Sequence, residues 1–453
     1  MPNHLKTLQA HARQTLKPSI QKQLSPAERI ALYKRFMKIE EHRIFMKHRA
    51  GAGGLEIATA RAELIDIVLA SILDSTLSEA KGDLPALALV AIGGYGRSTL
   101  NPRSDIDLLF LLPRASNRLP KPLEEAVQKI LYLLWDVGFK VGHACRSIAE
   151  CIEQAKSDQE NKTALIDARF LTGDLKLFKE FQIRFNKECI LKGQDAFFQM
   201  RRQDLRSRHQ KSSRTVFLQE PNVKESCGGL RDHHNIRWVQ RVKRGSFDLK
   251  NLVDDRLLTQ IAYKEIEEAY DFVHRVRNEL HYHTHKGTDQ LTLQLQGVVA
   301  TNFAYPQRSI LRRTEAFMRD YYRHTRNLYQ HTSSLMEIFQ IEQEDLSDTG
   351  LKSFLMFRKK KREEFDGFIA REGRIYPANQ EIFTDDQQRM MRMFQHCQLR
   401  GLRLSPPMRK LVKAHWDEID RPFRYLKANR ETFQAILERK GDVGRTLRLM
   451  HRV

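Results

Sequence analysis

The chain has 453 residues, with 77 Lys and Arg against 56 Asp and Glu, so its formal charge is +21. Apolar residues make up 41% and charged residues 29% of the chain, and this balance excludes disordered, fibrous and small disulfide-rich proteins. The longest apolar stretch, residues 84–92, is far shorter than the ~20 residues that a bilayer span needs, which excludes a membrane-spanning helix.

The chain length predicts two or three domains. Its polar start, Met1-Pro2-Asn3-His4, lacks a signal-peptide core, and the five irregularly spaced cysteines form no CxxC pair. We therefore expect a cytoplasmic protein with free thiols. The positive charge fits nucleic acid, a nucleoside triphosphate, an acidic protein partner or solubility alone, and composition does not choose among them.

The pattern of apolar residues predicts an α+β chain with a small group of strands between helical regions. Helices are expected over 29–46 and 58–72, then strands over 87–92 and 106–112, a helix over 121–135 and a third strand over 139–143. Residues 148–340 read as almost wholly helical, including helices over 263–280 and 314–338. A basic run at 358–362, a hairpin over 368–376 and further helices complete the chain.

The most informative segment joins the first two strands. Gly93-Gly94-Tyr95-Gly96-Arg97 ends the first strand, and Ser104-Asp105-Ile106-Asp107 opens the second. Side chains alternate along a strand, so Asp105 and Asp107 face the same side and can bind divalent cations, with Mg²⁺ favoured by hard oxygen ligands. Gly93 and Gly94 allow backbone N–H groups to approach a triphosphate, and Arg97 adds a phosphate contact.

A second segment, residues 220–232, is a loop rich in charge and glycine before a helix. Lys224 and Arg231 are candidates for phosphate contacts. Glu220, Glu225 and Asp232 can hold metal or orient those cations, or the whole set can form salt bridges that fix the loop in place. Both interpretations stay open at this point.

The glycine turn followed by Asp-Ile-Asp resembles the nucleotidyltransferase signature of the DNA polymerase β superfamily. Together with the segment 220–232 it is similar, more narrowly, to the bifunctional uridylyltransferase/uridylyl-removing enzymes that modify PII nitrogen-signalling proteins. At Ser226-Cys227 the sequence departs from the Gly-Pro usual in that family. The resemblance implies a polymerase β-like domain with a small mixed sheet, flanked by mostly helical domains.

The resemblance also implies transfer of UMP from UTP to a tyrosine hydroxyl of a PII-type protein, with release of pyrophosphate. Asp105 and Asp107 would be catalytic and would bind Mg²⁺, or Mn²⁺ in its place. A third acid, usual in the superfamily, is missing from 139–143, which leaves Asp158 or Asp167 as candidates. The nucleotide would contact the residues Gly93, Gly94, Arg97, Ser104, Lys224 and Arg231.

We expect an N-terminal helical region at 1–75 and a nucleotidyltransferase domain at 76–200. A helical uridylyltransferase-associated domain at 201–345 and a hairpin-plus-helix region at 346–453 follow. Full-length relatives continue into an HD hydrolase and two ACT domains, whereas this sequence ends at Val453. The expectation is transferase activity without uridylyl removal or built-in glutamine sensing.

Two other functions are compatible with the sequence. The acceptor could be RNA, which the charge favours and the lack of an RNA-binding module disfavours. The protein could also bind a nucleotide and signal without catalysis, because the third acid is missing. The run His281-x-His283-x-His285 is a weaker metal candidate, since i, i+2 positions on a helix face different directions.

Overall fold

The computed structural model describes residues 2–16, 24–79, 86–115, 120–348, 363–371, 373–439 and 443–452. The basic run at 358–362 lies outside these residues. The chain divides into two compact units, Met1–Glu337 and Ile338–Val453. In the described residues, no helix is long and apolar enough to cross a membrane.

The first unit begins with three helices and then forms a four-stranded sheet with helices between its strands. Its elements are α1 Pro2–Thr15, α2 Pro26–Arg49, α3 Gly54–Glu79, β1 Ala88–Ala91, α4 Gly93–Gly96, β2 Ile106–Leu112, α5 Lys121–Val137, β3 Val141–Ser147, α6 Ile148–Ser157, α7 Gln159–Ile166 and β4 Arg169–Gly173.

The sheet has the strand order β3-β2-β1-β4 and is mixed, as expected. β1 is antiparallel to β2 and β4, whereas β2 and β3 are parallel and pair Asp107 with Gly142. β4 corrects the expectation of an almost wholly helical segment after residue 148. Its residues are half-buried at the sheet edge and carry no apolar run, so the pattern gave no strand signal.

Both faces of the sheet are covered because the central strands are apolar on both sides. Leu108 and Phe110 join the core with α1, α2, α3 and α5, and Leu109 and Leu111 join the core beneath α6 and the next helix. Asp107 stands on the same face as Leu109, since residues i and i+2 share a face. The N-terminal helices thus share a core with the sheet.

The rest of the first unit is helical. It contains α8 Leu175–Phe185, a π-helical turn Asn186–Ile190, α9 Gln194–Lys211, α10 Leu230–Arg244, α11 Lys250–Asp254, α12 Gln260–Thr284, α13 Leu293–Asn302 and α14 Ile310–Asp348, which runs on into the second unit. A core that includes Leu230, Val273 and Phe317 holds α10, α12 and α14 together with the 220–232 loop.

The second unit has its own core and a second small sheet, of order β5-β6-β7-β8. Its further elements are β5 Glu363–Phe365, β6 Phe368–Arg371, β7 Arg374–Pro377, α15 Ile382–Asp385, α16 Arg389–Arg400, β8 Arg403–Leu404, α17 Pro406–Ala414, the 3-10 turn Trp416–Glu418, α18 Arg421–Tyr425, α19 Lys427–Glu438 and α20 Val443–Arg452. β6 and β7 form the predicted hairpin.

Candidate active site

A cavity of about 790 Å³ opens where β1 ends and β2 begins. Its walls bring together both sequence motifs, since Gly93, Asp107 and Lys224 all line it. Of the predicted site residues, the cavity is lined by Gly93, Gly94, Arg97, Ser104, Asp105, Asp107, Asp167, Lys224 and Arg231. Asp158 does not line the cavity, and neither do Glu220 and Asp232, the other candidate acids of the 220–232 loop.

Asp105 is exposed directly before β2, and Asp107 is half-buried as the second residue of the strand. Two glycines flank the Asp107 carboxylate: a Cβ at Gly142 would lie 2.7 Å from Oδ1, and one at Gly93 would lie 3.3 Å from Oδ2. Burial and then the charge of Asp105 raise the pKa of Asp107, against the opposing effects of Arg97 and Lys224. Among the described residues, neither aspartate forms an ion pair, so both carboxylates are available to a cation.

The glycine turn forms the short helix α4 against the aspartates. Gly93 has φ +59°, a left-handed conformation that favours glycine. A Cβ at Gly96 would lie only 2.2 Å from the carbonyl oxygen of Asp167, so this position is closed to side chains by packing. The turn therefore holds backbone N–H groups of α4 at the cavity wall.

Arg97 is held by Asp167 and Trp238 beneath the cavity. Its Nη1 donates to Asp167 Oδ2 at 2.6 Å, and Trp238 Nε1 donates to the same oxygen at 2.9 Å. Burial raises the pKa of Asp167 despite the nearby Arg97 charge. Asp167 therefore lines the cavity, as one of the two candidates for the third acid, but its carboxylate is engaged with Arg97.

Asp158 is the N-cap of α7 and does not line the cavity. Its Oδ1 accepts from the Glu160 N–H at 2.8 Å, which is an ordinary capping role. Ser104 does line the cavity, and its Oγ is buried without a hydrogen-bond partner among the described residues. Among all the residues that the structure describes, no group of three or more His, Cys, Asp or Glu side chains is arranged to hold a metal ion.

Salt bridges and hydrogen bonds fix the 220–232 loop in place, which is one of the two interpretations that the sequence left open. Asp232 is buried and accepts from His209 Nε2 at 2.9 Å, from Arg208 Nη2 at 3.0 Å and from the Gly228 N–H at 2.8 Å. Glu225 pairs with Arg231 at 3.2 Å. These contacts fix the loop.

Lys224 is the exception within this loop. Burial and then the charges of Arg277 and Arg231 lower the pKa of its ammonium group. Asp289 and Glu225 act on it only at a distance, because its Nζ forms no ion pair in the described part of the chain. Lys224 therefore lines the cavity as a cation without a salt-bridge partner there.

Several cavity residues were missed by sequence reasoning. Trp238 carries three guanidinium groups near its ring, those of Arg97, Arg201 and Arg231, at 5.8, 5.6 and 5.6 Å from the ring centroid. Arg277 on α12 donates to Asp289 at 2.6 Å. A single tryptophan or arginine on a helix carries no sequence signal of its own, and only their spacing to Arg231 or His281 on one helix face could have indicated them.

The three histidines at 281, 283 and 285 do not face one site, as their spacing on a helix predicts. His281 is buried, and its Nδ1 accepts from the Arg103 N–H at 3.2 Å. His283 and His285 are exposed.

Three family models match the chain. A nucleotidyltransferase domain matches residues 73–170, the GlnD PII-uridylyltransferase family matches 196–336, and the third domain of uridylyltransferase GlnD matches 368–453. This chain belongs to the GlnD PII-uridylyltransferase family. It is a transferase enzyme, and the predicted α+β class and family are confirmed.

The family assignment agrees with the geometry of the cavity. The 73–170 match contains Gly93, Asp105, Asp107 and Asp167, and the GlnD-specific match contains Lys224, Arg231 and Trp238. Nucleotidyltransferases generally use a divalent metal and a nucleoside triphosphate. The cavity of this GlnD-family chain is therefore formed by both matched regions, across residues that lie far apart in sequence.

Proposed function

We propose that this chain transfers UMP from UTP to a tyrosine hydroxyl of a PII-type protein, with Asp105 and Asp107 at the reacting phosphates. The observation that carries the proposal is the charge arrangement in the cavity. Among the described residues, Asp105, Asp107 and Lys224 form no ion pair. Three of the arginines that line the cavity, Arg97, Arg231 and Arg277, are held by Asp167, Glu225 and Asp289. A complex of a metal ion and a triphosphate needs groups without an ion-pair partner, since unpaired carboxylates bind the metal ion and an unpaired cation contacts the phosphates.

The two aspartates suit a divalent cation, Mg²⁺ or Mn²⁺. They supply hard oxygen ligands on one side of β2, and their mutual repulsion is relieved when a cation binds. Two carboxylates are enough when substrate phosphate oxygens complete the ligand set, so the engagement of Asp167 with Arg97 is compatible with the site. The cation would neutralise charge on the phosphates as the bond to pyrophosphate breaks.

The chain's own groups position the triphosphate. Backbone N–H groups at Gly93 and Gly94 approach it without side chains in the way, and the Ser104 hydroxyl is a free hydrogen-bond donor for it. Lys224 adds a positive charge on the other side of the cavity. Arg97 and Arg231 are held by Asp167, Glu225 and Trp238, so their guanidinium groups need little reorganisation when the phosphates bind.

The reaction rests on positioning. The acceptor hydroxyl oxygen attacks the α-phosphorus and gives its proton to water, and a new oxygen–phosphorus bond forms. The bond from the α-phosphorus to the oxygen that bridges to the β-phosphate breaks, and its electron pair leaves with pyrophosphate. Asp105 and Asp107, which would hold the cation, place the reacting end of the triphosphate where β2, an inner strand of the sheet, begins at the cavity.

The test incubates the protein with Mg²⁺, a purified PII-type protein and each of the four nucleoside triphosphates in turn. We expect the mass of the acceptor to increase by one UMP with UTP and by nothing comparable with ATP, GTP or CTP. Asp105→Asn should abolish the increase, and the exposed Asp136→Asn, outside the cavity, should leave it unchanged. Transfer by Asp105→Asn at the wild-type rate would overturn the site assignment.

A further inference from the structure

β3 forms one outer edge of the first sheet. In the described residues, no strand pairs with its far side. The segment from Val141 to Cys145 contains no proline, lysine or acidic residue, which are the usual means of blocking an open edge. Gly142 and His143 are exposed at this edge.

The backbone of β3 presents hydrogen-bonding groups outward. The Ile106 N–H donates to the Lys140 carbonyl at 2.9 Å, which fixes the residues whose peptide groups face β2. Because these groups alternate in a parallel pair, the N–H and C=O groups of Val141, His143 and Cys145 face away from β2. They form a row that can pair with an added strand.

The two faces of this edge differ. On the face that carries Asp107, β3 places Gly142, directly beside Asp107. On the opposite face, His143 lies beside Trp135 of α5, with ring centroids 6.3 Å apart, and Trp135 lies beside Tyr132 at 5.7 Å. Tyr132 is 60% exposed and Trp135 is 46% exposed, and exposed aromatic clusters of this kind are typical of binding surfaces.

We propose that the acceptor protein docks by adding an extended segment to the outer edge of β3, with its acceptor tyrosine facing the Gly142 side. This inference rests on the proposed function and deepens it by naming how the acceptor binds. The next residue of the added strand would face the opposite way, against Tyr132, Trp135 and His143, so we expect it to be apolar.

Gly142 leaves an open path from the outer edge of β3 to Asp107. Neighbouring strands lie ~4.8 Å apart, so an added strand lies two such spacings from β2. A tyrosine on that strand has only Gly142 between it and Asp107, and Gly142 has no side chain to obstruct it. Docking at this edge therefore brings an acceptor hydroxyl to the cavity without movement of the sheet.

The test first compares two variants of His143 and then two tryptophan variants. His143→Pro removes the outward N–H but no hydrogen bond to β2, whereas His143→Ala keeps that N–H. We expect His143→Pro to raise KM for the acceptor protein at least tenfold with an unchanged Kd for UTP. His143→Ala keeps the outward N–H and removes only one of the three side chains that face the added strand, so it should raise that KM clearly less than His143→Pro. Trp135→Ala should raise the same KM about tenfold. Trp416→Ala, which changes a tryptophan of similar exposure in the second unit, should not.

Hydrogen exchange supplies an independent readout. Adding the acceptor protein should slow exchange at the His143 and Cys145 amides of the wild-type chain. An unchanged acceptor KM in His143→Pro, or an equal effect of Trp416→Ala and Trp135→Ala, would overturn the docking inference. If the wild-type chain transfers no UMP, the proposed function fails, and exchange alone then decides the docking: no protection at β3 overturns it as well.

Discussion

The proximity of Asp105 and Asp107 predicts that losing one carboxylate abolishes activity but stabilises the metal-free protein. Carboxylates two residues apart on a strand are separated by about 6.6 Å. Their repulsion is about 2.5 kcal/mol at an effective dielectric constant near 20 and about 0.6 kcal/mol in bulk water. Salt weakens it further, so we expect Asp107→Asn to gain about 1 kcal/mol, or roughly 1–2 °C in Tm for a unit of this size.

The pH dependence follows from the raised pKa of Asp107. A carboxyl group whose folded-state pKa is raised favours folding most when it is protonated, below its unfolded pKa of about 3.9. That contribution is lost as pH rises through the folded-state pKa. The advantage of Asp107→Asn should therefore be complete at pH 7 and should shrink as the pH falls toward 4.

The measurement is thermal unfolding of wild type, Asp107→Asn and Asp136→Asn, each with EDTA and with excess Mg²⁺. Mg²⁺ should raise the Tm of wild type and not that of Asp107→Asn, which reverses their order, since a ligand stabilises only the form that binds it. A lower Tm for Asp107→Asn in EDTA, or the same gain in Asp136→Asn, would refute the reasoning.

Three further predictions concern the same cavity. Asp232→Asn should lower the free energy of unfolding in urea by about 3–5 kcal/mol, because Arg208 loses its buried partner. Burial opposes ionisation of Asp232, but His209, Arg208 and the Gly228 N–H lower its pKa overall. The stability advantage of wild type should therefore shrink as the pH falls through that lowered pKa. Lys224→Met should weaken UTP binding at least tenfold by calorimetry without lowering Tm, since Lys224 has no ion-pair partner among the described residues. Gly142→Ala should reduce transfer more than tenfold, because its Cβ displaces the Asp107 carboxylate, whereas Gly297→Ala, with its nearest contact at 3.5 Å, should remain active.

Local pattern was sufficient for the part of the site that lies in one stretch of chain. β1 is an apolar run closed by glycine, and β2 is apolar after Asp107 and closed by proline. Alternation alone places Asp105 and Asp107 on one side. The pattern failed for β4, where half-buried edge residues lack an apolar run. The pattern also did not show whether the Asp167 carboxylate is free or engaged, because its partner Trp238 is 71 residues away.

The remaining cavity residues depend on tertiary packing. Trp238, Arg201 and Arg277 lie on α10, α9 and α12, and each helix is patterned for its own core rather than for the cavity. Periodicity predicted α12, but it gave no reason to single out Arg277 on that helix. What brings Arg277 to the cavity is the packing of α12 against the sheet region, through contacts such as the Asn101–Asn278 hydrogen bond at 2.7 Å. Such contacts between distant residues have no local signature.

The distribution of charge explains how a strongly basic chain forms a selective site. The cavity walls carry eight Lys and Arg against seven Asp and Glu, so nearly all of the +21 surplus lies elsewhere on the protein. Under the proposed function, that surplus would act at long range on the approach of an anionic nucleotide, and salt would screen it. Within the cavity, arginines such as Arg97 and Arg277 are already neutralised and fixed by Asp167 and Asp289. Under the proposed function, discrimination at the reacting phosphates would therefore rest on the few cavity groups that form no ion pair among the described residues, chiefly the aspartate pair and Lys224, and not on the net charge of the chain.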